Sequence, residues 1–468
     1  MPSDESNEGP SYQRFYELSE EEYMEEVRLA TCDEELTAAC AAAATALVDE
    51  GYAVIPNVLS AAFCDQLHDS FWDNLETATN GGITRPHGPA DLATFRLTTD
   101  WLVNKHGILE EGPLAHLDVC YNVRTHPRVR VAFARLYGTG QNLVISSDRL
   151  NYQLPPEWLP RTPVAGVPDD LTTIGRIKEA SWLHIDQALD KKGLYCIQGL
   201  VNLVPALQDG DATLEVVARS HQLHDADLYR ELVGHEITKD QTRVDWFKFT
   251  DDDKKVMQAR KPDLFFNKFK RVPCDVGALV LWDSRLMHQG GRIRASAAHP
   301  RPNPVPRFVV YACAQPFIST DREPALPPKE KAKKTIVFAD RKATAHWPLA
   351  TKPFGKPRTY GKEDAHSYTL DFAKVLPDWM DNPILKHAFG LEFSPNQRAL
   401  HFGHASIEEE LAADAALEPL LAFSEGSGVL KVQAKNLKRK IDSVDPDRVV
   451  IASPDKSPAR RAAKTARH

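Results

Sequence analysis

The sequence predicts an α+β protein whose core is a β-sandwich or jelly roll with flanking helices. Its 468 residues are 42% hydrophobic and 26% charged, an ordinary composition for a soluble globular chain. Residues 34–78 carry apolar side chains largely at helical spacing, whereas from about residue 130 the apolar runs become short, β-branched or aromatic. Many short strands separated by turns indicate two packed sheets.

The first predicted elements are a helix, a strand and a second helix. Residues 34–49 are Ala-rich with high helix propensity, and this helix should end before Gly51, which suits a C-terminal stop. Residues 52–55, Tyr-Ala-Val-Ile, form a short β-prone run. Ser60 then provides an N-cap for a helix with an apolar core stripe, formed by Phe63, Leu67, Phe71 and Leu75.

Five further runs predict strands, with boundaries at Gly, Asp or Pro. They are LVISSDRLNY, LYCIQGLVNLV, ATLEVVA, GALVLWDSRLMH and RFVVYACA. After Pro316 the chain becomes rich in Pro and Lys and then offers aromatic-bearing segments. We therefore expect four parts: an acidic N-terminal segment (1–33), a jelly-roll domain (34–320), a C-terminal extension packed on the core (321–425) and a basic tail (426–468).

Charge is concentrated at the two ends of the chain, whose formal net charge is −8. Residues 1–26 hold nine acids against Arg14, whereas residues 426–468 hold eleven basic residues against four acids. The basic end has too few large apolar residues to fold alone, so we predict a disordered tail. Such a tail is either solvated surface charge or a nuclear-import or nucleic-acid patch.

The sequence also predicts an intracellular protein, cytoplasmic or nuclear. The first residues are polar and acidic where a secretory signal would need a cationic start and an apolar run. No stretch of roughly 18 apolar residues predicts a membrane span. The seven cysteines are scattered without a C-x-x-C pair, which is typical of reduced thiols.

The residues that suggest chemistry begin at His184-Ile185-Asp186. Alternate residues of an extended strand point to the same side, so this imidazole and this carboxylate can approach one cation together. A second histidine from a distant strand would complete a 2-His-1-carboxylate triad, which binds Fe(II) and leaves positions open for a cosubstrate and oxygen. His288, at the end of ALVLWDSRLMH, is the candidate. His116-Leu117-Asp118 has the same spacing but precedes the strand-rich region, and we interpret it as accidental.

The order of these elements resembles the phytanoyl-CoA dioxygenase-like branch of the Fe(II)/2-oxoglutarate-dependent oxygenases. ALVDEGYAVIPNVLS resembles the opening helix and strand of that family, DVGALVLWDSRLMH resembles its distal-histidine strand, and the resemblance covers roughly residues 40–318. It implies a double-stranded β-helix, a cupin-like jelly roll with the metal at its mouth. It implies that His184, Asp186 and His288 bind the catalytic iron and that Arg307 binds the distal carboxylate of 2-oxoglutarate. Dioxygen would be the oxidant, with ascorbate as an optional reductant.

Two departures from the family pattern concern the loops. After the central turn the family usually reads Pro-Gly-Ser-His, whereas residues 218–221 here are Ala-Arg-Ser-His. Arg307 follows His288 by 19 residues instead of about ten, across a Pro-rich loop, so Arg292 and Arg294 are rival anchors. We favour Arg307 because it opens a β-rich run, and the planar fork of an arginine pairs bidentately with a carboxylate.

Further candidates are an amide and several aromatic side chains near the triad. Gln198 and Asn202 share a strand face, by parity that of Asp186, and one of them is a candidate contact for the cosubstrate. Trp182, Trp282 and Tyr195 are predicted as core, although an aromatic ring beside the metal could shape the substrate pocket. Loops at residues 155–180 and 222–272 would complete that pocket.

The activity that the resemblance implies is hydroxylation of an unactivated C–H bond in a small organic substrate. The carboxylate of Asp186 disfavours halogenation, because related halogenases have a small residue at that position. Two alternatives stay open. One is a nucleobase-modifying oxygenase that the basic tail draws to nucleic acid, and the other is a non-catalytic jelly-roll binding protein, against which the complete triad argues.

Overall fold

The computed structural model describes residues 12–86, 106–109, 111–138, 143–158, 182–233, 235–263, 269–294, 301–316, 326, 328–349, 351–354 and 371–392. The basic tail predicted at 426–468 lies outside the described residues. The described helices are α1 (Glu20–Thr31), α2 (Glu34–Asp49), α3 (Ala61–Ala78), α4 (Asp118–Thr125), α5 (Pro127–Tyr137), α6 (Ala226–Leu232), α7 (Asp251–Arg260), α8 (Pro328–Ala339) and α9 (Pro383–Ala388). None of these helices is long and apolar enough to cross a membrane.

The described strands form two antiparallel sheets and a separate hairpin. They are β1 (Tyr52–Ile55), β2 (Ile108–Leu109), β3 (Leu143–Ile145), β4 (Leu150–Gln153), β5 (His184–Ile185), β6 (Ile197–Asn202), β7 (Leu214–Val217), β8 (Phe247–Lys248), β9 (Phe269–Val272), β10 (Leu279–Asp283), β11 (His288–Gly290), β12 (Arg307–Tyr311), β13 (Ala314–Pro316), β14 (Ala343–Thr344) and β15 (Pro353–Phe354). The larger sheet has the order β1-β10-β6-β12-β4-β2, and β13 joins β6 to β3. The smaller sheet has the order β8-β5-β11-β7-β9, and β14 pairs with β15.

The two sheets pack face to face, which confirms the predicted α+β class with a jelly-roll core. One apolar cluster joins Leu200, Trp282 and Tyr311 of the larger sheet to Leu214 and Val216 of the smaller one. Because side chains alternate along a strand, each sheet also has an outer face that must be covered. Helices cover the outer face of the larger sheet within the main core cluster.

The N-terminal elements begin and end where the sequence predicts. The Ser60 side chain accepts a hydrogen bond from the backbone N–H of Phe63 at 3.2 Å, which caps α3. Gly51 follows α2 with φ of +84°, a conformation that favours glycine. A Cβ atom at this position would also lie 2.5 Å from Nδ1 of His221, so the close approach of the two chain segments requires glycine.

Two predictions about secondary structure are wrong. Residues 127–137, PRVRVAFARLY, form α5 although short strands were expected from about residue 130. Pro127 suits the first helical position, Gly138 ends the helix in the left-handed region, and nearly all of α5 is buried. Residues 222–272, expected to be loop, contain α6, β8, α7 and β9.

The described part of the C-terminal extension shares the main core with the N-terminal helices. Phe338 of α8 and Phe389 lie with ring centroids 4.6 Å apart, and both contact the Tyr121 ring of α4. The Asn382 side-chain amide donates a hydrogen bond to the Tyr16 carbonyl at 2.5 Å. The domain boundaries drawn from composition stay a prediction.

Candidate metal centre

The candidate site is built on two neighbouring strands of the smaller sheet. His184 of β5 and His288 of β11 are directly opposite each other in the antiparallel register, and their ring centroids lie 4.4 Å apart. Directly opposed residues of antiparallel strands project to the same face of a sheet. Residues 104 positions apart in the sequence therefore present their imidazoles side by side.

Strand alternation turns the third member of the triad to the same face. Leu183 and Ile185 point into an apolar cluster on the outer side of the smaller sheet, together with Phe247. His184 and Asp186 consequently point between the sheets. The Asp186 backbone N–H donates to the Ser284 carbonyl at 3.1 Å, which holds this residue beside the turn that precedes β11.

The three side chains converge at one point. His184 Nε2 lies 3.6 Å from Oδ1 of Asp186, and His288 Nε2 lies 3.2 Å from Oδ2. One ligand atom from each of the three residues lies within 4.8 Å of the other two, and all three residues are buried. Among the described residues, this is a group that could hold a metal ion. That these residues bind the catalytic iron stays a prediction.

Both histidines are oriented by backbone carbonyls. Nδ1 of His184 lies 2.7 Å from the Trp182 carbonyl, and Nδ1 of His288 lies 2.9 Å from the Leu286 carbonyl. A carbonyl oxygen only accepts hydrogen bonds, so each Nδ1 carries the proton and each Nε2 is the atom that faces Asp186. Burial lowers the pKa of His184 to about 3 and keeps it neutral. This second-sphere pattern is typical of histidines that bind metals through Nε2.

The carboxylate of Asp186 is ionised and held by an amide. Burial would raise the pKa of Asp186, but the neighbouring imidazoles, with His346 first, outweigh it and hold the pKa below its usual value. Gln198 of β6 donates a hydrogen bond from Nε2 to Oδ2 of Asp186 at 3.1 Å. Gln198 therefore lies on the same face as Asp186, as predicted, and its side chain contacts the Asp186 carboxylate directly. Asn202 donates instead to the Val204 and Asp275 carbonyls, which is a turn-stabilising role.

Arg307 has the properties of an anion-binding residue. It opens β12, is 4% exposed, and donates to the Gly291 carbonyl from Nη1 at 3.0 Å. Its Nε is buried without a hydrogen-bond partner, and among the described residues no carboxylate forms an ion pair with its guanidinium. Burial lowers the pKa of Arg307 from its ordinary value. A buried cation with an unused donor is costly unless an anion completes its contacts.

Gly290, the last residue of β11, leaves space beside the Arg307 guanidinium because it has no side chain. A Cβ atom on Gly290 would lie 3.2 Å from Nη1 of Arg307 and 3.2 Å from the Trp182 ring. The rival anchor Arg294 is 59% exposed in its side chain and pairs with Glu215 at 2.5 Å. Arg292 is partly buried. Of the three arginines, Arg307 is the most deeply buried.

Two residues of the site were missed by the sequence analysis. His346, between β14 and β15, lies with Nε2 3.7 Å from Oδ2 of Asp186, and its Nδ1 contacts Oδ2 of the buried Asp148. Burial opposes a charged ring, but Asp148 and then Asp186 outweigh it and raise the pKa of His346 well above its usual value. Neither residue belongs to a spaced motif, so no signal in the sequence indicated their approach to the triad.

The aromatic candidates divide between the core and the site. Trp282 is buried between the sheets, as predicted. Trp182 stacks on His184 with centroids 4.7 Å apart and on His106 at 4.2 Å. Trp246, 49% exposed, lies 6.0 Å from the His184 ring.

His116, of the other H-x-D motif, and His221 are not members of the candidate metal group and make structural hydrogen bonds. The ring of His116 contacts the Tyr121 hydroxyl at 2.8 Å and the Lys342 carbonyl at 2.9 Å. Nε2 of His221 lies 3.0 Å from the Val48 carbonyl. The second H-x-D motif therefore serves packing around α4 and α8.

Comparisons with known proteins give partial likenesses. No family model matches the chain. It is 30% identical over 185 residues, 37% of its length, to "Ava biosynthesis cluster protein O" of Aspergillus versicolor, and the match spans about half (49%) of that protein.

Among solved structures, the chain is similar to the epimerase SnoN in complex with Fe3+, alpha ketoglutarate and nogalamycin RO, with a TM-score of 0.34 and 16% identity, covering 60% of this chain and 84% of SnoN. It is similar to HygX from Streptomyces hygroscopicus with nickel and 2-oxoglutarate bound, with a TM-score of 0.34 and 12% identity, covering 60% and 89% of the two chains.

Proposed function

We propose that this protein is a non-haem Fe(II)/2-oxoglutarate-dependent oxygenase that oxidises an unactivated C–H bond of a small organic substrate. The observation that supports it best is the donor set, in which two imidazole Nε2 atoms and one ionised carboxylate converge between the sheets. This set matches the 2-His-1-carboxylate triad of non-haem Fe(II) oxygenases. The residues present therefore fit the metal.

Each residue has a defined task in this proposal. His184, Asp186 and His288 would hold Fe(II). When bound with 2-oxoglutarate and dioxygen, that ion supplies C–H oxidation coupled to decarboxylation of 2-oxoglutarate to succinate and CO2. Arg307 would pair through its guanidinium with the distal carboxylate of 2-oxoglutarate, which supplies the anion that its buried, unpartnered Nε lacks. The apolar walls between the sheets would exclude bulk water from the reacting carbon.

A small organic molecule is the proposed substrate class. The curated relative is named as a biosynthesis cluster protein, which supports such a substrate. Nucleic acid as a partner was predicted only from the basic tail, which lies outside the described residues. Hydroxylation is the simplest outcome of this chemistry, and its product would carry one oxygen atom from dioxygen while succinate carries the other.

Anaerobic titration with Mn(II), followed by aerobic assay of succinate formation with Fe(II), tests the proposal. We expect wild-type protein to bind one Mn(II) and to convert 2-oxoglutarate to succinate slowly without substrate. His184→Ala should weaken Mn(II) binding by more than about 100-fold, because a ligand contributes more than a second-sphere residue. His116→Gln, in the other H-x-D motif, is the matched control and should bind Mn(II) as wild type does. Equal binding by wild type and His184→Ala would refute the proposal.

A further inference from the structure

The hairpin that follows the jelly roll, residues 343–354, is anchored beside the candidate metal centre. The Thr344 N–H donates to the Ser147 carbonyl at 2.8 Å, and the Leu349 N–H donates to the Gln315 side chain at 3.1 Å. Trp347 packs in a buried cluster with Cys196 and Cys313. These contacts fix the hairpin to the ends of strands from the larger sheet.

Between its two strands the hairpin places His346 between two buried carboxylates. Nδ1 contacts Asp148, whose side chain is fully buried and also accepts the Arg149 N–H at 2.7 Å. Nε2 lies 3.7 Å from Oδ2 of Asp186, an ion-pair distance. Each nitrogen of the ring therefore faces a different carboxylate. Tyr311 limits the ring from a third side, with centroids 5.8 Å apart in an edge-on arrangement.

The geometry argues against His346 as a fourth metal ligand. The ligand atoms that gather within 4.8 Å of one another belong to His184, Asp186 and His288. His346 approaches the group through Oδ2 of Asp186, the same oxygen that accepts the hydrogen bond from Gln198. Gln198 and His346 thus approach the same carboxylate oxygen of Asp186, and His346 belongs to the hairpin that follows the jelly roll.

We propose that His346 is a positioning residue that, anchored by Asp148, directs its Nε2–H to Asp186 and fixes the orientation of this metal-binding carboxylate. This inference rests on the proposed function, because it assumes that Asp186 binds the metal. It also assigns a role in the site to the C-terminal extension. Second-sphere groups that orient a ligand typically change metal affinity by 10- to 100-fold when they are removed.

Two isosteric substitutions separate the roles of the two ring nitrogens. In His346→Gln the side-chain amide nitrogen can occupy the place of Nε2, whereas in His346→Asn it can occupy that of Nδ1. We expect His346→Asn to keep the contact with Asp148 but to bind Mn(II) about 10- to 100-fold more weakly than wild type. His346→Gln should stay within a few-fold of wild type. A merely structural role for the ring would predict the opposite order, since Asp148 is the fully buried partner.

The measurement is the anaerobic dissociation constant for Mn(II) in the full-length protein without 2-oxoglutarate, together with the absorption spectrum of the Co(II) complex, which reports ligand geometry. His235→Gln, a histidine 44% exposed in its side chain and paired with Asp253, is the matched control and should behave as wild type. Wild type that binds Mn(II) while His346→Asn binds equally well, with an unchanged Co(II) spectrum, would overturn this inference alone. Wild type that binds no metal would overturn the proposed function and this inference with it.

Discussion

Replacing Arg307 with methionine should stabilise the protein or leave its stability unchanged while it removes 2-oxoglutarate binding. The side chain is 4% exposed, and among the described residues it has no carboxylate partner. Desolvating an unpaired cation costs several kcal/mol. The substitution removes one hydrogen bond to the Gly291 carbonyl, worth about 1 kcal/mol, and that carbonyl keeps its hydrogen bond from Gln153 at 3.2 Å. We therefore expect the free energy of unfolding to rise by about 1–3 kcal/mol or to stay level.

The same substitution should weaken the binding of 2-oxoglutarate. Truncating one partner of a buried charge pair costs about 2–5 kcal/mol, so the dissociation constant for 2-oxoglutarate should rise by about 30-fold or more. Isothermal titration of the Mn(II)-loaded protein with 2-oxoglutarate measures this constant, and urea unfolding of the metal-free protein measures the stability. Arg294→Met is the matched control, since Arg294 is largely exposed and pairs with Glu215. Unchanged 2-oxoglutarate binding in Arg307→Met, or its loss in Arg294→Met, would refute the assignment of the anchor.

Three further predictions follow from buried groups and close approaches. Gly290→Ala should weaken 2-oxoglutarate binding about 3- to 10-fold without changing Mn(II) affinity in the same titrations, because the new methyl group would lie 3.2 Å from both the Arg307 guanidinium and the Trp182 ring. Gly277→Ala should lower the free energy of unfolding in urea by about 3 kcal/mol or more, since φ is +75° and the Cβ would lie 1.9 Å from the Leu59 carbonyl oxygen. Gly81→Ala, at φ of +76° with open space around it, should lower the free energy of unfolding by only about 1 kcal/mol. Equal losses of stability in Gly277→Ala and Gly81→Ala would contradict the proposed clash with Leu59. Apart from His184 in the candidate metal centre, three described histidines have a pKa lowered to about 3 by burial, so at these positions the unfolded chain binds more protons below pH 6.5. The stability contributed by these three histidines should therefore be complete above pH 6.5 and fall by up to about 1.4 kcal/mol per pH unit per histidine as the pH drops towards 3, whereas Asp118, whose pKa is raised to about 7 by burial, has the opposite effect below pH 7. The histidines are His68, His116 and His126; in urea unfolding, His116→Gln should lose less stability than wild type between pH 7 and 5, and an unchanged pH dependence would contradict this.

The parts of the fold that the sequence predicts well have strong local signals. Helix α2 and strand β1 occupy the expected residues because Ala content, Gly51 and a β-branched run all indicate the same boundaries. The prediction fails at α5, whose helix signals, Pro127 at the first position and Gly138 at the end, lie where the strand-rich region was expected to begin. The burial of α5 on nearly all sides comes from tertiary packing, which local patterns do not report.

The candidate site was predictable to the extent that its geometry is local. The H-x-D spacing places His184 and Asp186 on one strand face, and the resemblance to a known family supplied His288 and Arg307. The approach of His288 to His184 and Asp186 in the structure depends on the register between β5 and β11, which no spacing encodes. His346 could not be found in this way, because its approach to Asp186 follows from tertiary packing of a hairpin 162 residues downstream of His184.

The core that the N-terminal helices share with residues 338–389 has a consequence for protein synthesis. Tyr16 and Tyr121 contact Asn382, Phe338 and Phe389, so the helices that precede residue 126 cannot complete this core until residues 338–389 have been synthesised. During this interval the nascent chain exposes a large apolar surface, and we expect it to depend on chaperones. A chain shortened after residue 320 would keep that exposure permanently and should aggregate, although it retains all three predicted metal ligands.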